Sequence, residues 1–150
     1  MTTIHRAHLS DIENLKLLCA AYHSHEGLAL TDAEREHALL PLLRDDSLGG
    51  ILVSRQNHAI TGYVAICFGY SIELKGKEAF IDELFVAQEW RRKGTGAALL
   101  EAAIAFVSDL GAVALHMEVS HGNLAAKEFY LKHEFEARDQ YFLMTRALSS

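Results

Sequence analysis

Ile12, Leu15, Leu18 and Tyr22 recur at intervals of three and four residues, the period of a helix with one apolar face. Ser10-Asp-Ile-Glu13 just ahead has the capping-box pattern, in which a hydroxyl and a carboxylate satisfy the first free amides reciprocally. A first helix is therefore predicted from about Asp11 to His23, after a strand over residues 3–8. Thr31-Asp-Ala-Glu34 repeats the capping signature before Leu39, Leu40, Leu42 and Leu43. The second helix that follows should be kinked or broken at Pro41, which has no N–H and clashes with the preceding turn. Apolar or alternating runs at Gly50–Ser54, Ile60–Tyr70 and Glu78–Val86, parted by turn residues at Gln56-Asn57-His58 and Lys75-Gly76-Lys77, read as an antiparallel meander. Over Gly94–Leu110 the pattern returns to helical, with Ala97, Leu100, Ile104 and Val107 as the core face and Gly111 placed to end the helix. A strand at Ala114–Val119, a helix at Asn123–His133 and a last strand at Ala137–Arg146 complete the order. Strands on either side of helix 94–110 favour a βαβ unit. The fold class is α/β, a mixed sheet flanked by about four helices.

Composition narrows the class of protein. The 150 residues suit one domain, 1–150, and half of them are hydrophobic, enough to fill a core. Fourteen Lys and Arg against 20 Asp and Glu leave a net charge of −6, which disfavours nucleic acid and anionic membrane as partners. No stretch approaches the roughly 20 apolar residues of a membrane span, and the start has no signal-peptide core, so a cytoplasmic location is expected. Cys19 and Cys67 are far apart and lie in apolar surroundings, as reduced cysteines do. Of the nine histidines, even His23-x-His25 has no carboxylate or cysteine at a zinc-like spacing, and no metal is expected.

One short segment runs against the overall charge. Arg91-Arg92-Lys93-Gly94-Thr95-Gly96 joins a predicted strand to the start of the strongest helix. A helix N-terminus presents unpaired N–H groups and partial positive charge, and glycines there leave room for an anion to reach the backbone. The same glycines also serve simply to make a tight turn. A P-loop is excluded because no Gly-Lys-Ser/Thr follows, and a dinucleotide fingerprint fails at Leu99, where its third glycine would stand.

Arg91-x-x-Gly94-x-Gly96, with the preceding Glu83-Leu-Phe-Val86, resembles the acetyl-CoA-binding motif of the GNAT N-acetyltransferases. Asn123-Leu-Ala-Ala126-Lys-Glu-Phe129-Tyr130 through Phe135 resembles the family's second block at the expected distance downstream. The stretch Ile81-Asp-Glu-Leu-Phe-Val86 looks most like the polyamine and diamine enzymes of that family. The resemblance implies the GNAT fold, with a sheet that splays between the strands at 78–86 and 114–119 to admit the cofactor, acetyl-CoA. It implies cofactor contacts from Leu84, Phe85, Val86, Arg91, Arg92, Lys93, Gly94, Thr95, Gly96, Asn123, Ala126 and Phe129. Two positions depart from the pattern: Gln88 replaces a proline, and Glu134 replaces a glycine where a helix end usually turns through positive φ.

Acetyl transfer to an amine also needs a base, because an alkyl amine of pKa about 10 is almost wholly protonated at pH 7. Asp82 and Glu83 lie on the strand that would border the acetyl group, and strand alternation sends one to each face. The resemblance favours Asp82 as base, and Glu83 is kept. Tyr130 matches the family's general acid, suited to reprotonating a thiolate. Glu26, Tyr70 and Glu73 fall in segments that line the acceptor side in this family, and such carboxylates suit a cationic amine: a polyamine, an aminoglycoside or a lysine side chain. The function implied is direct, ternary-complex N-acetylation of a small-molecule or lysine-type amine. A non-catalytic acyl-CoA-binding module is the alternative, and a homodimer is compatible with either.

Overall fold

A computed structural model describes residues 2–149. They divide into two compact units, Met1–Glu118 and Val119–Ser150. The first unit holds strands β1 (Thr3–Arg6), β2 (Gly49–Gln56), β3 (Ala59–Ser71), β4 (Gly76–Val86) and β5 (Ala114–Met117), with helices α1 (Ile12–Glu26), α2 (Asp32–Arg44) and α3 (Thr95–Asp109). The second holds α4 (Leu124–Lys132).

The sheet runs in chain order, β1-β2-β3-β4-β5. The first four strands are antiparallel neighbours, and β5 joins β4 in parallel after the α3 crossover. On one face α1 and α2 bury Leu15, Cys19 and Leu39 against Ile51, Val53, Tyr63, Ala65 and Phe85. On the other, α3 buries Leu99, Leu100, Ala103 and Val107, and Phe106 stacks on Phe68 of β3. That buried stripe is rotated from the predicted one, since Ala97 and Ile104 are only half-buried. Gly111 ends the crossover helix as expected, at φ 85° with its N–H on the Ser108 carbonyl.

Three local expectations are corrected. The reciprocal box at Thr31 and Glu34 forms, with bonds of 3.1 and 2.8 Å. The one at Ser10 does not: α1 starts two residues later, the Asp11 carboxylate accepts from the His8 N–H, and Glu13 turns to Lys16 instead. Pro41 does not end α2, which continues to Arg44 with the missing N–H in its last turn. Among the described residues, Ala137–Arg146 forms no strand. Asp139 and Gln140 make a turn there, with the Tyr141 N–H on the Arg138 carbonyl, and the four consecutive apolar residues that follow lack the alternation of a half-buried strand.

In the second unit, Glu134 adopts φ 67° where the GNAT motif has glycine. The turn forms all the same, the Glu134 and Phe135 N–H groups bonding the Leu131 and Tyr130 carbonyls. A side chain in this region costs about 1–2 kcal/mol. The departure therefore preserves the turn and adds strain.

Candidate active site

The site begins where the sheet opens. Parallel pairing between β4 and β5 stops at Ile81 opposite Met117, although β4 continues to Val86. Past that point the β4 edge has no strand beside it, and a notch of about 250 Å³ opens, lined by Phe80, Ile81, Asp82, Met117 and Glu118.

A bulge sits at the same place. On its β3 side, Ile81 pairs with Ile66 but Glu83 pairs with Ala65, so Asp82 is an extra residue and the side-chain alternation of β4 shifts by one. Glu83 and Phe85 therefore face α1, whereas Ala79 and Ile81 face α3. The strict alternation expected across Asp82 and Glu83 is broken by this bulge; Glu83 bonds His23 of α1, and both carboxylates act electrostatically on Tyr22.

The two carboxylates differ in their partners. Glu83 is held on both oxygens. Tyr63 donates to Oε1 at 2.7 Å, the Cys19 thiol lies 3.9 Å from the same atom, and His23 Nε2 lies 2.8 Å from Oε2. Behind His23, Arg35 donates from Nε to Nδ1 at 3.3 Å and from Nη2 to the Leu30 carbonyl at 2.9 Å. Burial, with Glu83 close by, pushes the Cys19 thiol up to about 11 and raises the Tyr63 phenol, so both remain protonated donors. Asp82 has no such partners. The desolvation of the notch, then Glu83 and then Glu118, raise its carboxyl above the ordinary range, and His23 opposes them.

Of the residues expected on the acceptor side, Glu26 belongs with this group. Burial and the charges of Glu26, Glu83 and Asp82 push the Tyr22 phenol up to about 12. Tyr70 and Glu73 do not. Tyr70 pairs with Lys77 at the tip of the β3–β4 hairpin, and five residues of strand, about 16 Å at 3.3 Å each, separate that pair from Asp82.

Downstream of β4, the chain turns into α3 through Arg92 at φ 62° and Gly94 at φ 82°. Arg91 fastens the turn, donating from Nε to the Val86 carbonyl at 2.9 Å with its guanidinium over the Phe85 ring, and Lys93 lies over Trp90. No acidic residue stands in the first turn of α3. A Cβ at Gly94 would meet nothing within 4 Å, and one at Gly96 only Val86 at 3.9 Å. Gly94 answers to its positive φ; at Gly96 the space outside the first amides is open. Three cations, free helix amides and open space fit a phosphate-bearing ligand. Leu84, Phe85, Val86 and Thr95 lie on the same strand, turn and helix start.

In the second unit, Asn123 caps α4, its Oδ1 accepting from the Ala126 N–H at 3.1 Å. Phe129 and Phe135 meet the Tyr130 ring edge-on.

Sequence reasoning missed His23, Arg35, Tyr63 and Glu118. His23 was weighed only as a metal ligand, and nothing local links it to a residue 60 positions away. Cys19 and Cys67 are free thiols. Among the described residues no helix is long and apolar enough to cross a membrane, and no three His, Cys, Asp or Glu side chains are grouped to hold a metal ion.

Comparison with known proteins bears on this geometry. Over 57 residues the chain is 39% identical to streptothricin acetyltransferase A of Bacillus subtilis (strain 168), a match covering 38% of this chain and only a third of that protein's length. An integron cassette protein from the mobile metagenome of Cole Harbour Salt Marsh superposes with a TM-score of 0.87 at 29% identity, over 98% of this chain and 91% of that one. The aminoglycoside acetyltransferase AAC(6')-Iy, solved with a CoA-linked bisubstrate analogue, shares the fold at a TM-score of 0.85 and 14% identity, over 99% of both chains. Residues 12–135 match the acetyltransferase (GNAT) family along their length. With the splayed sheet and the glycine turn of that fold in place, this chain belongs to the acetyltransferase (GNAT) family.

Proposed function

We propose that the chain moves the acetyl group of acetyl-CoA onto a cationic primary amine, by direct attack in a ternary complex. The observation that carries this reading is the parting of β4 from β5 at Asp82, which lines the notch while the adjacent Glu83 is held by side chains of α1 and β3. In this reading residues 1–150 work as one catalytic domain of a cytoplasmic enzyme.

Acetyl-CoA supplies a thioester carbonyl and a thiolate leaving group. Arg91, Arg92, Lys93 and the amides from Gly94 to Gly96 would hold its phosphates, and Leu84, Phe85 and Val86 its pantetheine along the open edge of β4. An N–H at Phe85 or Val86 would polarise the carbonyl. Asp82 takes the proton of the incoming ammonium. Its raised proton affinity suits it to that task, because a base works best with a pKa brought towards the working pH. Glu83 and Glu26 add negative charge on the acceptor side, and the departing sulfur regains a proton to leave as a thiol. Tyr70 and Glu73 stand too far along the hairpin to belong to this pocket. Relatives named for streptothricin and for an aminoglycoside support a small cationic acceptor: among polyamine, aminoglycoside and lysine side chain, the first two are favoured.

The test is thiol release from acetyl-CoA across a panel of polyamines, aminoglycosides, lysine derivatives and neutral hydroxyl analogues. Release is expected with the polycations and not with the neutral compounds. Acetyl-CoA binding without release on any amine would favour the non-catalytic module instead.

The phosphate site has its own check. Gly96→Asp puts a carboxylate at the second residue of α3, where an acid stabilises a helix. The variant should melt no lower than wild type yet bind CoA at least about tenfold more weakly in calorimetry, the loss expected for an anion facing an anion. Unchanged CoA affinity would remove the α3 N-terminus from the binding site.

A further inference from the structure

The donors behind Glu83 have no part in the steps above, and their geometry is directional. A guanidinium has no acceptor, so Arg35 must donate to His23 Nδ1. A ring nitrogen that accepts carries no hydrogen, which leaves the proton on Nε2, and Nε2 donates to Glu83 Oε2. Both nitrogens are then committed. His23 cannot take a proton from Glu83, and the chain ends on a group that does not deprotonate in proteins. As a proton relay the chain is closed. As a brace it is complete, since Arg35 is itself fixed by the Leu30 carbonyl and all of His23, Arg35 and Tyr63 are buried.

We propose that His23, locked in its Nε2–H tautomer by Arg35, is a positioning residue that pins Glu83 as an ionised anchor for the acceptor amine and leaves proton uptake to Asp82. The proposal rests on the acetyl transfer described above and divides the work of its two carboxylates. The charged and titratable groups around Glu83 are Cys19, Tyr22 and His23 on α1, Arg35 on α2, Tyr63 on β3 and Asp82 on β4, with Glu118 beyond β5 acting on Asp82; the donors among them hold Glu83, and Asp82 opposes it as a like charge. Among the described residues, His23, Tyr63 and Cys19 are the side chains that donate to Glu83.

The 150-residue chain with nitrogen-labelled histidine, without ligand, gives a direct readout by NMR at neutral pH. One ring, identified by its loss in His23→Gln, should show a protonated Nε2 and a bare Nδ1. In Arg35→Met the same ring should no longer be fixed in that tautomer. A wild-type His23 that carries its proton on Nδ1 overturns the lock, and so does one whose tautomer is the same with and without Arg35. Kinetics with the panel amine of highest turnover test the consequence. His23→Leu should raise the amine KM about tenfold or more, the scale of a lost hydrogen bond to a charge, with the acetyl-CoA KM unchanged. His23→Gln, which keeps an N–H for Glu83, should recover most of that loss. Gln and Leu variants equally impaired at similar melting temperatures would overturn the positioning role. If no amine is turned over at all, the acceptor assignment falls with the reaction, whereas the tautomer measurement still judges the lock separately.

Discussion

Asp82→Asn is expected to lower kcat/KM for a cationic amine by about 100- to 10,000-fold, the contribution of a placed general base, with CoA affinity retained. The side chain keeps its size, so what is lost is the capacity to accept a proton. The wild-type pH profile should carry the matching signature. Although Asp82 is exposed, desolvation of its carboxyl by the surrounding atoms and the charges of Glu83 and Glu118 hold it above its ordinary range, so the acid limb of log kcat/KM should lie above the value of a free aspartate, near 4. The linkage has a definite sign. A folded-state pKa raised above the unfolded one contributes stability below the unfolded pKa, and that contribution is lost as pH rises through the folded value. At pH 7 the ionised Asp82 therefore works against folding. The asparagine variant should melt at or above wild type there and lose that advantage below about pH 4. A full rate in Asp82→Asn would take the residue out of the reaction; a lowered melting point at neutral pH would contradict its electrostatic setting.

The largest structural effect is expected at Gly49, the first residue of β2. It lies at φ 150° opposite Cys67, and a Cβ there would overlap the Ile66 carbonyl oxygen, with the Ile66 carbonyl carbon at 2.8 Å and Cys67 Cα at 2.9 Å. All three atoms are backbone of β3, which pairs on both sides and cannot give way. Gly49→Ala should cost about 4–5 kcal/mol, a fall of about 10–20 °C in Tm for a chain of this length. Gly69→Ala is the control. Its new Cβ would touch only the Glu78 and Phe80 side chains at 3.5 and 3.6 Å, ordinary contact distances, and thermal melting should find it within about 1 kcal/mol of wild type. Equal losses at both positions would show that the steric argument at Gly49 is wrong.

Most of the fold could be read from the chain because its signals are local. The period of α3, its closing Gly111 and the turn residues between strands need no knowledge of distant partners. The pair Asp82-Glu83 and the glycine turn were visible for the same reason. What was hidden depends on register or on contacts across the fold. The bulge at Asp82 exists only relative to β3, so strict alternation breaks at the point where the two carboxylates stand. The brace of His23 and Arg35 joins residues from three elements, and no spacing announces it. At Ala137–Arg146 the error was of another kind: apolar content was read as a strand, although a turn at Asp139 and Gln140 interrupts it.

The ladder between β4 and β5 is four residue pairs long, Glu78–Ile81 against Ala114–Met117, whereas β3 and β4 are paired along nearly their whole length. Local opening free energy follows the number of bonds that must break together. The outer wall of the notch is thus a short edge strand, held by as few residue pairs as β1, while the wall bearing Asp82 and Glu83 belongs to the four-stranded antiparallel body. On the proposed placement of the acyl group, a chain longer than acetyl would press on that yielding wall, and tolerance of donor length would follow how often β5 opens more than the shape of its side chains at rest.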